Sequence, residues 1–336
     1  MSDLYNYSEL RDRIFLCNDD DFNQLAIETF QFQYNFNTVY RSYCDVLRIN
    51  PEEIKKISSI PFLPIQFFKT KEIVSTSFTP ETIFESSGTT GSVKSRHVIK
   101  DVKIYEESFL KNFGLFYGAP ENYCIIGLLP SYLERENSSL VYMVKRLIEN
   151  SRHHKSGFYL NDFMKLQETL LENEYNQQQT LLIGVSFALL DFAEQYPMQL
   201  KNTIVMETGG MKGRKKEMIR SAFHEILQSK LGIDNIHSEY GMTELLSQAY
   251  SKKDGLFFSP PWMKVLIRAE DDPFDVSYIN EKKIRSGAVN IIDLANVYSC
   301  SFIATDDCGK LHPNGSFEIT GRLDNSDIRG CSLMAI

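Results

Sequence analysis

The chain has 336 residues, of which 43% are apolar and 24% charged, and its net charge is −8. That is enough apolar chain for one large or two ordinary domains, and the balance excludes a disordered polymer. The acidic balance also excludes nonspecific nucleic-acid binding by the surface as a whole. The apolar stretch Thr180 to Leu190 falls short of the roughly 20 residues a membrane-spanning helix needs. The polar start, MSDLYNYSELRDR, lacks the apolar centre of a signal peptide, so a cytoplasmic protein without an integral membrane segment is expected. The 23 Phe and 17 Tyr promise an aromatic core. Six cysteines, Cys17, Cys44, Cys124, Cys300, Cys308 and Cys331, are scattered with no Cys-x-x-Cys pair. That spacing argues against a zinc site and for free thiols, most of them small buried hydrophobes.

In chain order, residues 1–60 read as helical, with Phe22, Leu25, Ala26, Phe30, Tyr34 and Val39 to Tyr43 at helical spacing. A further helix is expected after Asn50-Pro51, with proline at its first position. Pro61 and Pro64 then make a stiff apolar connector. Glu81 to Glu85 reads as a short strand, Val102 to Tyr117 as a helix and Tyr123 to Leu129 as a buried strand. Ser139 to Ile148 follows as a helix and Thr180 to Val185 as a strand, leading into a helix through Tyr196. Thr203 to Glu207 is a strand and Lys215 to Leu231 a helix. This alternation predicts an α/β fold with buried, largely parallel strands. Beyond about residue 255 short strands and turns take over, at Leu256–Phe258, Val265–Ile267, Val289–Ile292 and Phe317–Ile319. They suggest a mixed or barrel-like sheet. Arg268 to Asn280, rich in Asp, is the expected long surface loop.

Four stretches carry chemistry. Ser86-Ser87-Gly88-Thr89-Thr90-Gly91-Ser92-Val93-Lys94 packs glycines, hydroxyls and a closing lysine into one loop. Glycines bring backbone N–H groups close to a ligand, hydroxyls add donors, and the lysine adds a mobile charge suited to phosphate. The same composition also makes an ordinary surface turn. Glu207-Thr208-Gly209-Gly210-Met211-Lys212-Gly213-Arg214 stands at the end of an expected strand, where α/β sheets bind ligands. It would let a flat base lie on the backbone, or be a plain strand-to-helix turn. Ser238-Glu239-Tyr240-Gly241-Met242-Thr243-Glu244 offers an aromatic for a base, a hydroxyl for a phosphate and a carboxylate for Mg²⁺, or a helix cap. Thr305-Asp306-Asp307 and Gly321-Arg322-Leu323-Asp324 can meet ribose hydroxyls and phosphate, or be a surface turn and a solvated charge run.

In this order and spacing, the stretches resemble the motifs of the acyl-adenylate-forming superfamily. Ser86 to Lys94 resembles its phosphate loop and Tyr240 to Glu244 its Tyr-Gly-x-Thr-Glu motif. Thr305 to Asp307 resembles its Thr-Gly-Asp motif, with Asp306 in place of glycine, and Gly321 to Asp324 its Gly-Arg-x-Asp hinge. The likeness covers roughly residues 60 to 334. Within the superfamily the chain is most similar to the acyl-protein synthetases of the bacterial bioluminescence fatty-acid reductase complex. The Pro-Phe-Leu-Pro connector, the Gly-Gly-Met-Lys loop and the Arg-Gly-Cys-Ser ending support this.

The resemblance implies the large N-terminal domain of such an enzyme, with mixed and parallel sheets packed with helices plus a small barrel-like β region. As one unit of 1–336 it divides into a helical region at 1–60, an α/β core at 61–255, a β-rich region at 256–324 and a short tail at 325–336. It implies ATP and Mg as cofactors, with Ser87, Gly88, Thr89, Thr90, Gly91 and Lys94 on the phosphates. Gly209, Gly210, Met211, Tyr240 and Gly241 would frame the adenine. Thr243 would meet the α-phosphate, Glu244 would bind the metal, and Asp307 would hold the ribose with Arg322 beside it. Lys94, Thr243, Glu244 and Cys331 would be the catalytic set. A fatty or other carboxylic acid would become acyl-AMP, then an acyl thioester on Cys331. An acyl reductase or an acyl carrier protein would be the partner. Members continue past the hinge into a lid with a catalytic lysine, whereas this chain ends soon after Asp324; Lys212, Arg214 and Lys215 are the cations that would substitute. An acyl- or aryl-CoA ligase of the phenylacetate–CoA ligase type, and a nucleotide-binding scaffold without catalysis, are the alternatives.

Overall fold

The apolar runs become neighbouring parallel strands in the computed structural model, which describes residues 7–86, 93–129, 137–160, 162–209, 218–278 and 283–323. Their six-stranded sheet runs in the order Gly157–Phe158, Cys124–Leu128, Thr180–Val185, Thr203–Thr208, His237–Tyr240, Ala249–Ser251. All neighbours are parallel until the last pair, which is antiparallel. Every residue of Cys124–Leu128 and Thr180–Val185 is buried, so both faces of these strands are covered. That coverage explains why they read as continuous apolar runs and not as alternating ones.

A second six-stranded sheet forms from the β-rich half. Its centre is Phe302–Leu311, antiparallel to Arg285–Asp293 along one side. On its other side it pairs with Leu63–Pro64 and with Phe317–Arg322. Met263–Arg268 and Val276–Ser277 continue the sheet beyond Arg285–Asp293. Irregular register at Ala288/Asn290 and at Cys308/Gly309 bends these long strands, and the sheet curls. The two sheets meet at Phe257 and Phe258. Phe257 bridges to Phe317 of the curled sheet and Phe258 to Tyr250 of the parallel one.

The N-terminal helices Asp19–Phe36 and Thr38–Val46 pack on the curled sheet. Phe30 and Tyr40 lie against Phe302, with ring centroids 6.3 and 6.0 Å apart. Asn37 explains the break between the two helices. It ends the first and accepts from Tyr40 N as the N-cap of the second, while its amide donates to Ser299 O. A two-stranded hairpin, Thr82–Glu85 with Arg96–Ile99, stands apart from both sheets. Among the described residues no helix is long and apolar enough to cross a membrane.

Several expectations need correction. The helix after Pro51 is one 3-10 turn, Pro51–Glu53, because Asn50 caps it and Ile54 returns to extended backbone. Within the described residues the helix expected from Lys215 begins at Arg220. Ser238 to Glu244 is no helix cap, since His237–Tyr240 is a strand bonded on both sides. Thr305 to Asp307 is no surface turn but the middle of the longest strand of the curled sheet. The two adjacent Asp residues sit in a bulge of that strand opposite Val289, where the Thr305 hydroxyl donates to Val289 O. Helix Phe163–Tyr175 was not anticipated. Of the described cysteines, Cys17, Cys44, Cys124 and Cys300 are buried and Cys308 is partly exposed.

Candidate active site

The carboxyl ends of Thr203–Thr208 and His237–Tyr240 border one cavity with Glu85 of the hairpin, and of the predicted residues Gly209, Gly241 and Thr243 line it. The hairpin contributes Glu85 and Lys94, paired at 3.0 Å. Beyond its paired strands, Ser86 N donates to Ser95 O and Ser95 N to Ser86 Oγ, closing the base of the glycine stretch. Ser87, Gly88, Thr89, Thr90 and Gly91 lie outside the described residues, as do Gly210, Met211 and Cys331. Gly209 ends its strand with φ of 69°, a conformation that favours glycine. Ser186 fixes this end by donating to Gly209 O and to Glu207 Oε2.

Tyr240 joins the two sheets. Its ring packs on Phe257 and Phe317, and its hydroxyl donates to Asp307 Oδ2 at 2.7 Å. Arg322, opposite Asp307 in the strand pairing, places Nε 3.4 Å from Oδ1. Burial raises the Asp307 carboxyl above its ordinary range, against the Tyr240 hydrogen bond and the Arg322 charge. Asp307 keeps acceptor capacity on both oxygens, as a ribose-binding group needs. Asp306, standing where the superfamily has glycine, fits because Gln66 donates to its carboxylate.

The turn after Tyr240 is held from beneath. The carbonyl of Thr243 accepts from His97 Nδ1 at 2.8 Å, and that of Glu244 accepts from Asn296 Nδ2 at 2.6 Å. Burial lowers His97 to about 4, so it is neutral at physiological pH and serves as a donor to the carbonyl. Asp293 accepts from Leu246 N, Ser247 N, Ser247 Oγ and Ala295 N. Burial raises its carboxyl to about 6 despite those donors. Glu244 is itself buried, and burial raises its carboxyl while the Ser95 hydroxyl opposes the shift.

Among the described residues no group of three or more His, Cys, Asp and Glu is placed to hold a metal. Mg²⁺ commonly takes one or two carboxylates from a protein when phosphates supply the rest. Glu244, the carboxylate the motif likeness offers, is buried and does not line the neighbouring cavity. An open cavity of about 110 Å³ lies beside the turn after Tyr240, reaching Glu85, Gly209, Gly241 and Thr243. Its deeper wall holds Glu239 and Gln248. Sequence reading gave no part to His97, Asp293 and Asn296, which hold the turn, or to Gln248 in the cavity wall, and named Glu239 only within its stretch. For Asp293 a signal existed: an acid inside the apolar run Ile291-Ile292-Asp293-Leu294-Ala295. The others have no local signature.

Two sheets meeting at a Tyr–Asp contact, with a separate two-stranded hairpin, have the fold of the large N-terminal part of acyl-adenylate-forming enzymes. Solved structures share this fold. ATP-bound MatB from Rhodopseudomonas palustris matches at TM-score 0.53 and 15% identity, covering 71% of this chain and 47% of that one. A long-chain-fatty-acid–CoA ligase from Archaeoglobus fulgidus matches at TM-score 0.53 and 15% identity, covering 75% and 53%. The chain therefore spans about half the length of these structures. No curated protein matches significantly. The family model described as "Acyl-protein synthetase, LuxE" matches residues 17–335, and the chain belongs to that family.

Proposed function

We propose that the protein activates a carboxylic acid with ATP and passes the acyl group to a cysteine thiol. The observation that supports this reading most is membership of this family, together with a cleft that Gly209, Gly241 and Thr243 line and a Tyr240–Asp307–Arg322 contact that joins the two sheets. Asp307 would take the ribose hydroxyls and Tyr240 would border the base. Lys94 would leave Glu85 for the phosphates, joined by the hydroxyls and glycines of 87–91. Glu244 would hold Mg²⁺, which when bound neutralises phosphate charge. The substrate carboxylate attacks the α-phosphorus, the bond to the pyrophosphate oxygen breaks, and acyl-AMP and pyrophosphate result. Positioning and charge neutralisation carry most of this step. A thiolate then attacks the acyl carbon, the bond to the phosphate oxygen of AMP breaks, and AMP leaves.

Carboxylate-dependent pyrophosphate–ATP exchange tests the first step, with acids from acetate to palmitate and phenylacetate. Exchange with at least one acid is expected; none with any acid would leave a nucleotide-binding scaffold. For the second step the family name supports a protein acceptor, and Cys331 is the residue the motif likeness singles out. Cys331→Ser should keep acyl-AMP formation and lose hydroxylamine-sensitive acyl label on the protein. Label equal to wild type would move the acceptor to another cysteine. Free acyl-CoA as the product would favour the CoA-ligase reading instead. An acyl-enzyme also needs a taker, an acyl reductase or a carrier protein, which pull-down of the acylated form would identify.

A further inference from the structure

The bulge that carries Asp307 is large. Ala304 pairs with Asn290 and Cys308 with Ala288, so Val289 alone faces Thr305, Asp306 and Asp307. Such a mismatch takes backbone groups out of the ladder. Val289 O and Thr305 O belong to fully buried residues, so they need donors from elsewhere. Arg268, the last residue of the neighbouring strand Met263–Arg268, supplies them. Its Nη1 donates to Val289 O at 2.8 Å and to Asn290 Oδ1 at 2.6 Å, and its Nη2 donates to Thr305 O. From there the bonds lead on to the acid. The Thr305 hydroxyl donates to Val289 O and accepts from Asp307 N at 3.1 Å. Arg268 is 8% exposed, and these three partners are all uncharged oxygens. Burial works against its charge, and Asp306, itself bonded to Gln66, is the carboxylate that opposes this most.

We propose that Arg268 is a positioning residue of the nucleotide site: by spanning the bulge it fixes the backbone of Asp307, and with it the carboxylate that meets Tyr240 and Arg322. This rests on the reading of Asp307 as the ribose-binding group and adds the residue that sets its position. Taking a guanidinium out of water is costly unless its donors are met, and the carbonyls of the bulge meet them. The planar fork suits the task, because Nη1 and Nη2 each reach a carbonyl on a different strand. A lysine would bring the same charge but one point of attachment where the fork offers two. The opposite side of the bulge is closed independently, by Leu323 N donating to Asp306 O at 2.7 Å. Loss of the fork therefore loosens the bulge without unpairing the strands on either side. Small displacements matter for a group that orients a ligand, since a shift of about 1 Å can cost as much as a hundredfold in rate.

The test uses the full chain and two readouts: the Kd for Mg·ATP by titration calorimetry, and the KM values for ATP and for the best acid of the acetate-to-palmitate series in pyrophosphate exchange. Arg268→Lys keeps the charge, so an effect of charge on the phosphates is held constant. Its Kd and KM for ATP should rise about three- to tenfold, while the KM for the acid stays within about twofold. In the Asp307→Ala background the same substitution should cost no further ATP affinity, because Arg268 acts through that carboxylate. Should Arg268→Lys fail to fold, Thr305→Val replaces it. That variant removes the hydroxyl link between Val289 O and Asp307 N at nearly constant volume and should show the same ATP-specific loss. ATP affinity equal to wild type, an equal loss for ATP and acid, or a loss that adds in full to that of Asp307→Ala would overturn the inference and leave adenylation standing. Wild type that binds no Mg·ATP would overturn both.

Discussion

Glu239 is a carboxyl group whose charged neighbour is a second carboxylate, Glu207, and whose donor is the Thr208 hydroxyl. The two acids meet opposite fates. Burial pushes both up, yet Glu207 is held below its ordinary range by the His224 hydrogen bond and the Arg220 charge, with Ser238 adding a donor. Glu239 has no such support and rises from 4.5 to about 7. Its proton is therefore bound more tightly folded than unfolded. Stability from this group is full below about 4.5 and declines as pH rises through about 7. Glu239→Gln should remove that decline. The melting temperature of the variant should exceed wild type by several degrees at pH 8 and match it near pH 5, read by thermal melts at both.

At the scale of elements, the turn after Tyr240 has little regular structure of its own, and the curled sheet supplies its support. Asp293 ends the strand Arg285–Asp293, and Asn296 lies in the 3-10 turn that follows. Together they bond Glu244 O, Leu246 N, Ser247 N and Ser247 Oγ. Ser247 Oγ in turn meets Ser108 Oγ and Trp262 Nε1, tying helix Val102–Tyr117 into the same support. Asp293→Ala would leave buried donors unpaired, costing about 2–4 kcal/mol in urea unfolding. It should also lower exchange activity, because Thr243 and Glu244 lose their fixed position. A variant as stable as wild type would show that the turn holds without this carboxylate.

At the scale of the molecule, the proposed nucleotide site is a seam. Tyr240 comes from the parallel sheet, while Asp307 and Arg322 come from the curled one. A ligand touching both sides binds only the folded arrangement, so it raises stability by mass action, by about 2.7 kcal/mol at a hundredfold excess over Kd. Mg·ATP should raise the melting temperature of wild type. Asp307→Ala should reduce that shift at the same ATP concentration and raise the KM for ATP about tenfold or more, with a smaller effect on kcat. An undiminished shift in Asp307→Ala would remove this carboxylate from the ribose site.

The sequence by itself determined the elements whose burial is uniform. Cys124–Leu128 and Thr180–Val185 are covered on both faces, so their apolar runs needed no knowledge of their neighbours. Helix Val102–Tyr117 was equally legible, and the structure adds that Asp101 caps it by accepting from Lys103 N. The motifs were legible because glycines, hydroxyls and a lysine in close sequence imply a chemistry before they have a fold. Only the tertiary structure decided that Thr305–Asp307 lies inside a strand, as a bulge opposite Val289 with Asp307 paired to Arg322, because the flanking Ala304 and Cys308 pair with Arg285–Asp293. Only it decided that Asp307 meets Tyr240 across 67 residues of chain. The role of Glu239 also depended on it, because desolvation is a property of everything packed around a group and not of the residues beside it in sequence.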